Sequence, residues 1–85
     1  MTEEQIRAAL LESIVAVAPE VDAAALAADT DLRDQIDIDS YDFLQVLVGL
    51  HERLGVDVPE TDYQRFRTLD SAVRYLAGRV QGSSD

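Results

Sequence analysis

One serine, Ser40, stands between Asp39 and Asp42 at the predicted start of an amphipathic helix. The first turn of a helix has backbone N–H groups without intrahelical acceptors, and it lies at the positive end of the helix dipole. A phosphate ester on a hydroxyl at this place would therefore be favourably surrounded. The same residues also fit an ordinary helix start, with Asp39 as the N-cap and Asp42 in the first turn, so both interpretations stay open at this point.

A nucleophilic role for Ser40 would need a nearby base, and the sequence offers none. His51 is the only histidine, and it lies eleven residues further along the same predicted helix. At the helical rise the two residues are about 16 Å apart. The acidic segment that begins at Asp29 does not fit a calcium loop, since Asp34 stands where glycine is needed and Ser40 where glutamate is needed. We predict no catalytic residue and no metal site.

The charge of the chain is strongly acidic. Seventeen aspartates and glutamates against seven arginines and no lysine give a formal net charge of −10. Such a field repels nucleic acid and anionic membranes and attracts basic protein surfaces. The alternative explanation, that the acidic residues serve solubility, stays open. We expect protein partners with basic docking patches and no nucleic-acid partner.

The length of 85 residues suits one domain, predicted at 1–80 and followed by a disordered tail at 81–85. The chain has no cysteine, which fits a reducing compartment. No apolar segment approaches the roughly 18 residues of a membrane span, and the N-terminus is acidic where a signal peptide would be basic. We expect a cytoplasmic monomer that does not insert into membranes.

Helical spacing of the apolar residues predicts an all-α fold, a small four-helix bundle with three longer helices and one short helix. The predicted segments are a helix at 3–18, a long loop at 19–38, a helix at 40–54, a short helix at 60–66 with Tyr63 and Phe66 facing inward, and a helix that Thr68 caps and that reaches about residue 80. Pro19 ends the first helix and Gly55 follows the second. The loop needs anchors of its own, for which Leu26, Leu32 and Ile36 are the candidates.

The second helix has two apolar faces at about 100° per residue. The core face comprises Phe43, Val46, Leu47, Leu50 and Leu54. The opposite face comprises Tyr41, Leu44 and Val48, with Gln45 and Glu52 beside them and Asp42 and His51 at the edges. Either other helices cover this second face, or it is exposed as a partner site, and its polar neighbours favour exposure.

The chain resembles the acyl carrier protein family over residues 3–79. The resemblance rests on the Asp39-Ser40-Tyr41-Asp42 segment that opens a helix, the long acidic loop before it, the segment from Gly55 to Glu60 with its Val58-Pro59 step, and the Thr68-Leu69 start of the final helix. It implies that Ser40 carries phosphopantetheine, whose thiol holds acyl or aminoacyl groups as thioesters. It also implies that Asp39 helps to set the serine and to engage a phosphopantetheinyl transferase.

The resemblance further implies a discrete carrier without catalytic activity of its own. Its partners would be the transferase and the loading and acyl-transfer enzymes of fatty-acid, polyketide or related biosynthesis. The implied docking face comprises Tyr41, Asp42, Leu44, Gln45, Val48 and Glu52. The alternative is an unmodified acidic adaptor that binds a partner protein through the Tyr41, Leu44 and Val48 face.

Four positions depart from the family pattern. Tyr41 stands where the serine motif has leucine, and Gln45 and His51 occupy positions that are often acidic in fatty-acid carriers. Phe43 is bulkier than the small residue often found there, so we expect it to fill space in the core and to limit the sequestration of long acyl chains. With these departures, a specialised carrier for polyketide, lipid or amino-acid cargo fits at least as well as a housekeeping fatty-acid carrier.

Overall fold

Three α-helices of fifteen residues each, α1 (Glu3–Val17), α3 (Ser40–Leu54) and α4 (Leu69–Ser83), pack around one apolar core in the computed structural model. A short α-helix, α2 (Leu32–Gln35), and two 3₁₀ segments, Ala23–Ala25 and Glu60–Phe66, lie between them. The structure describes residues 2–83, and that range contains no β-strand. The predicted all-α bundle is confirmed.

The ends of α1 and α3 are fixed by local sequence. Thr2 and Gln5 form a reciprocal capping box at the start of α1, as their spacing predicts. The helix ends at Val17, and the N–H of Ala18 bonds to the Ile14 carbonyl at 2.8 Å. At the end of α3, Gly55 adopts a left-handed conformation with φ of 70°, which a glycine takes without a steric penalty.

The connection between α1 and α3 is more regular than the predicted loop. It contains the 3₁₀ turn that follows Asp22, and also α2, which the sequence interpretation missed because four residues are too few to show a period. Leu32 and Ile36 are buried and Leu26 is partly buried, so all three predicted anchors contact the core.

Two backbone hydrogen bonds join this connection to the other side of the bundle. The Leu32 N–H donates to the Arg67 carbonyl at 2.7 Å, and the Asp70 N–H donates to the Ala28 carbonyl at 3.0 Å. Gln35 braces the connection from within, because its side-chain amide donates to two carbonyls and its oxygen accepts a backbone N–H. The segment before Ser40 is thereby held in a defined position.

Helices α1 and α3 approach closely at Gly49. A Cβ placed there would lie 3.2 Å from the Ser13 hydroxyl oxygen, closer than ordinary van der Waals contact. Ser13 is buried and donates to the Ala9 carbonyl at 2.9 Å, so its hydroxyl is satisfied within α1. The small residue at position 49 lets the inward face of α3 lie against α1.

The last helix begins as predicted and extends further than predicted. Thr68 accepts the Ser71 N–H at 3.1 Å through its hydroxyl and the Ala72 N–H at 3.0 Å through its carbonyl. Helical backbone continues to Ser83, so it enters the segment at 81–85 that was predicted as a disordered tail. The remaining tail residues, 84 and 85, lie outside the described residues.

Candidate functional site

Asp39 caps the N-terminus of α3. Its side-chain oxygen accepts the Asp42 N–H at 2.9 Å, and its carbonyl accepts the Phe43 N–H at 2.9 Å. The predicted N-cap is therefore confirmed. With Asp39 in this role, Ser40 becomes the first residue of the helix.

The start of α3 has hydrogen-bonding groups around Ser40 that the fold does not use. Ser40 is exposed, and neither its hydroxyl nor its backbone N–H, nor the N–H of Tyr41, has a hydrogen-bond partner within residues 2–83. These two N–H groups belong to the first turn of a fifteen-residue helix, where they attract an anion. The arrangement fits a phosphate ester on the Ser40 hydroxyl, because the ester oxygens can accept hydrogen bonds that the fold does not use.

Ser13 and Ser71 differ from Ser40 in the environment of their hydroxyls. Ser13 is buried, with 1% of its surface exposed. Ser71 also lies in the first turn of a helix, but its hydroxyl donates to the Arg65 carbonyl at 2.7 Å and lies 3.0 Å from the Thr68 hydroxyl. The hydroxyls of both serines are therefore engaged, whereas that of Ser40 is free to react.

The face of α3 opposite the core is exposed. Tyr41 is 67% exposed, Leu44 43% and Val48 52%. We call these three residues the outward apolar face. Gln45 and Glu52 beside them are also exposed, and Asp42 is half-buried. The rest of the described chain does not cover this face, so the alternative in which α3 is sandwiched on both sides is excluded for residues 2–83.

A groove runs from Ser40 toward the core, between α3 and the Glu60–Phe66 segment. Its volume is about 1020 Å³. Its lining includes Ser40, Ile38, Phe43, Val46, Tyr63, Phe66 and Leu10. The expectation that Phe43 fills this space is corrected here, because Phe43 is only partly buried and lines the groove. The ring packs sideways against two other rings and leaves space beside it.

Three aromatic contacts connect this groove to α4. The Phe43 ring meets Tyr63 at 5.2 Å and Phe66 at 5.8 Å between centroids, and Phe66 meets Tyr75 at 5.8 Å, all near edge-to-face. The Tyr75 hydroxyl donates to Asp62 at 2.6 Å. Burial, and then the hydrogen bond to the Asp62 carboxylate, raise the pKa of Tyr75 above its usual value of 10.0. The sequence predicted Tyr63 and Phe66 as inward residues, but their meeting with Phe43 depends on tertiary packing.

His51 does not line the groove beside Ser40. Its Nδ1 lies 2.9 Å from an Asp57 carboxylate oxygen on the exposed surface after α3. Within residues 2–83 no group of three or more histidine, cysteine, aspartate or glutamate side chains is arranged to hold a metal ion. In the same range no helix is both long and apolar enough to cross a membrane.

Comparison with known proteins agrees with this geometry. The family described as "Phosphopantetheine attachment site" matches residues 9–76. An acyl carrier protein from Renibacterium salmoninarum is 32% identical over 89% of this chain and 93% of its own length. One from Kineococcus radiotolerans is 31% identical over 95% of this chain and 98% of its own length. The solution structure of a candidate acyl carrier protein from Anaplasma phagocytophilum superposes with a TM-score of 0.77 at 30% identity, over 92% of this chain and 91% of that one.

The family match covers most of the chain and includes the start of α3. Members of this family are carriers rather than enzymes, and their prosthetic group is a phosphopantetheine carried on a serine. The matched region, the helical fold and the free serine at a helix start agree with one another. The chain belongs to the acyl carrier protein family.

Proposed function

We propose that this chain carries acyl or aminoacyl groups as thioesters on a phosphopantetheine arm attached to Ser40, and delivers them to enzymes of fatty-acid, polyketide or related biosynthesis. The observation that supports Ser40 is its exposed hydroxyl, which has no partner within residues 2–83, at the start of a long helix. When bound, the arm supplies a terminal thiol, a group that a chain without cysteine lacks. The lack of cysteine also fits the reducing cytoplasm, which is the proposed location.

The residues around Ser40 would each have a defined part. The N–H groups of Ser40 and Tyr41 would hold the phosphate oxygens of the arm. Asp39 would keep the first turn of α3 in place through its bond to the Asp42 N–H, and its exposed position lets it meet the transferase. None of these residues acts on the cargo itself.

Partner enzymes would dock on the outward apolar face, with Asp42, Gln45 and Glu52 around it. Apolar side chains that are 43–67% exposed gain by transfer to a partner surface. The net charge of −10 favours partners whose docking patches are basic. The face begins beside Ser40, so a docked enzyme would have the end of the arm within reach.

Intact mass spectrometry after incubation with a phosphopantetheinyl transferase and coenzyme A tests the attachment. We expect one phosphopantetheine adduct on the wild type and none on Ser40→Ala. The matched control is Ser71→Ala, which removes another first-turn hydroxyl and should keep the adduct. No adduct on the wild type, or an adduct that persists in Ser40→Ala, would contradict the proposal and would favour the unmodified adaptor.

A further inference from the structure

The arginines of the chain are unevenly distributed. Residues 60–83 hold four arginines and three acidic residues, whereas residues 2–59 hold three arginines and thirteen acidic residues. The Glu60–Phe66 segment and helix α4 therefore form a slightly positive region on a chain whose formal net charge is −10. A region of opposite sign attracts partners that the rest of the chain repels.

The positive charge of α4 lies on the side away from the core. The inward side is marked by four residues that are at most 2% exposed, Leu69, Ala72, Val73 and Leu76. Arg74 is exposed and lies nearly opposite them at about 100° per residue. Gly78, one turn further on, has no side chain that could cover it. Asp70, one turn before Arg74, is paired with Arg7 at 2.8 Å, so its carboxylate is already engaged.

Two further arginines lie close to the start of α4. The Ser71 hydroxyl donates to the Arg65 carbonyl at 2.7 Å, so Arg65 lies beside the first turn of the helix. Arg67 lies two residues before the helix begins, and 74% of its side chain is exposed. We call Arg65, Arg67 and Arg74 the arginine face.

The guanidinium groups of the arginine face have little to bind within the fold. The side chains of Arg65 and Arg74 are exposed and have no hydrogen-bond or ion-pair partner among the described residues. The Arg67 guanidinium lies 3.6 Å from an Asp31 carboxylate oxygen, and an exposed pair of this kind contributes little. The arginine face therefore presents several N–H donors without acceptors.

We infer that the arginine face binds an acidic segment of a protein partner, at a contact separate from the outward apolar face of α3. The planar guanidinium group pairs with a carboxylate through two parallel hydrogen bonds, so aspartate and glutamate side chains fit these donors. The inference does not rest on the proposed function, because it requires neither Ser40 nor the arm.

The acidic surroundings of the arginine face favour a short segment over an extended polyanion. Asp31 lies beside Arg67, and the connection to which it belongs also carries the exposed residues Asp29 and Asp34. Nucleic acid or an anionic membrane that covered the arginine face would bring its own charges against these carboxylates. A short acidic segment can contact the arginines without lying over the connection.

The test is a titration of the ¹⁵N-labelled chain, without the arm, with a blocked hexaglutamate peptide, followed through the backbone amide NMR shifts. We expect the largest shifts in residues 65–78, small shifts in residues 41–52, and weaker binding as salt is added. Arg65→Glu and Arg74→Glu should each raise the dissociation constant about three- to tenfold. Arg53→Glu, the matched control with the same change of charge at an exposed arginine of α3, should raise it less than about twofold.

Parallel titrations with a single-stranded DNA hexamer and with vesicles that contain phosphatidylglycerol test the other classes of partner. We expect neither to shift residues 65–78 at the concentration at which the peptide does. Larger shifts there with DNA or vesicles, an equal loss of peptide affinity in Arg53→Glu, or no peptide shift in residues 65–78 would overturn the inference. Thermal melts show that the variants are folded. None of these results bears on the attachment of the arm, so the proposed function is tested separately.

Discussion

The two faces of α3 are both apolar, yet they differ in what covers them. On the inward face Val46, Leu47 and Leu50 are 3%, 9% and 0% exposed, whereas on the outward face Leu44 and Val48 are 43% and 52% exposed. The inward leucines and valine contact the same core as α1 and α4. Residue type alone therefore does not separate the two faces, since leucine and valine occur on both.

Because the two faces of α3 differ in exposure, truncations on the inward face should mainly change stability, and truncations on the outward face should mainly change partner binding. Removing buried hydrocarbon from a packed core costs the transfer free energy and leaves a cavity. Removing exposed hydrocarbon changes the folded state little, but it reduces the surface that a partner can cover. If the outward apolar face is a docking site, truncations on the two faces of one helix should give opposite patterns in unfolding and in binding.

The largest effect is expected for Leu50→Ala on the inward face. Leu50 is fully buried, so its truncation should lower the free energy of unfolding by about 2–5 kcal/mol. Leu44→Ala is the matched control, with the same chemical change on the outward face, and should cost about 0.5 kcal/mol or less. Urea unfolding of both variants measures this. Equal losses of stability would mean that the outward face is packed in solution and would break the comparison.

The reverse pattern is expected in partner binding. Leu44→Ala and Val48→Ala should each weaken binding to a phosphopantetheinyl transferase by about 1–2 kcal/mol, mainly through faster dissociation, if these side chains lie at the centre of the interface. Surface plasmon resonance gives the two rates. Unchanged binding combined with a lowered melting temperature would contradict the docking role of this face.

A smaller effect is expected for Tyr75 in α4, whose ring packs against Phe66. Tyr75→Phe removes the hydroxyl that donates to Asp62 and should cost about 0.5–1.5 kcal/mol at neutral pH. Burial and this hydrogen bond raise the folded-state pKa of Tyr75 above 10.0, so the folded state keeps its proton longer than the unfolded state. The stabilisation is therefore complete below about pH 10 and is lost as the pH rises through the folded-state pKa.

Unfolding free energies measured between pH 8 and 12 check this prediction. The wild type should lose stability more steeply on the alkaline side than Tyr75→Phe. Tyr41→Phe, which makes the same change on the outward apolar face, should leave the free energy of unfolding at neutral pH within about 0.5 kcal/mol of the wild type, because the Tyr41 hydroxyl has no partner within residues 2–83. Identical slopes in the wild type and Tyr75→Phe would show that the Tyr75 hydrogen bond does not contribute to alkaline stability.

Local signals in the sequence were sufficient for the three long helices. The capping box at Thr2, the N-cap at Asp39 and the glycine at position 55 act over a few residues, and each is present in the structure. The two faces of α3 also follow from the helical period. The short helix α2 was missed, although Asp31, whose side chain accepts the Arg33 N–H at 2.9 Å, gave a cap signal for it.

The groove could not be predicted in the same way. The sequence placed Phe43 and Phe66 on inward faces, and volume alone suggested that Phe43 would fill the core. Its actual place depends on where the Glu60–Phe66 segment docks, which is set by contacts between residues far apart in the chain, such as the bond from Leu32 to the Arg67 carbonyl. Such contacts leave no periodic trace in a single sequence.

The smallest effect is expected from the charges around the outward apolar face. Glu52→Arg should lower the association rate with the transferase a few-fold at low salt, because an acidic residue beside the face steers a basic partner before contact. The matched control is Glu12→Arg, an equal change of charge at an exposed position of α1, which should have less effect. Asp42→Arg should resemble Glu52→Arg, with an added loss of stability because Asp42 lies in the first turn of α3.

Added salt shortens the Debye length, which is about 8 Å at physiological ionic strength, and so screens the charges that steer the encounter. The association rates of the wild type and Glu52→Arg should therefore converge as salt is added. The dissociation rates of these two proteins should remain different from that of Leu44→Ala. Stopped-flow association over a salt series measures this. An equal slowing by Glu12→Arg would show that the net charge, rather than the location of Glu52 beside the face, steers the encounter.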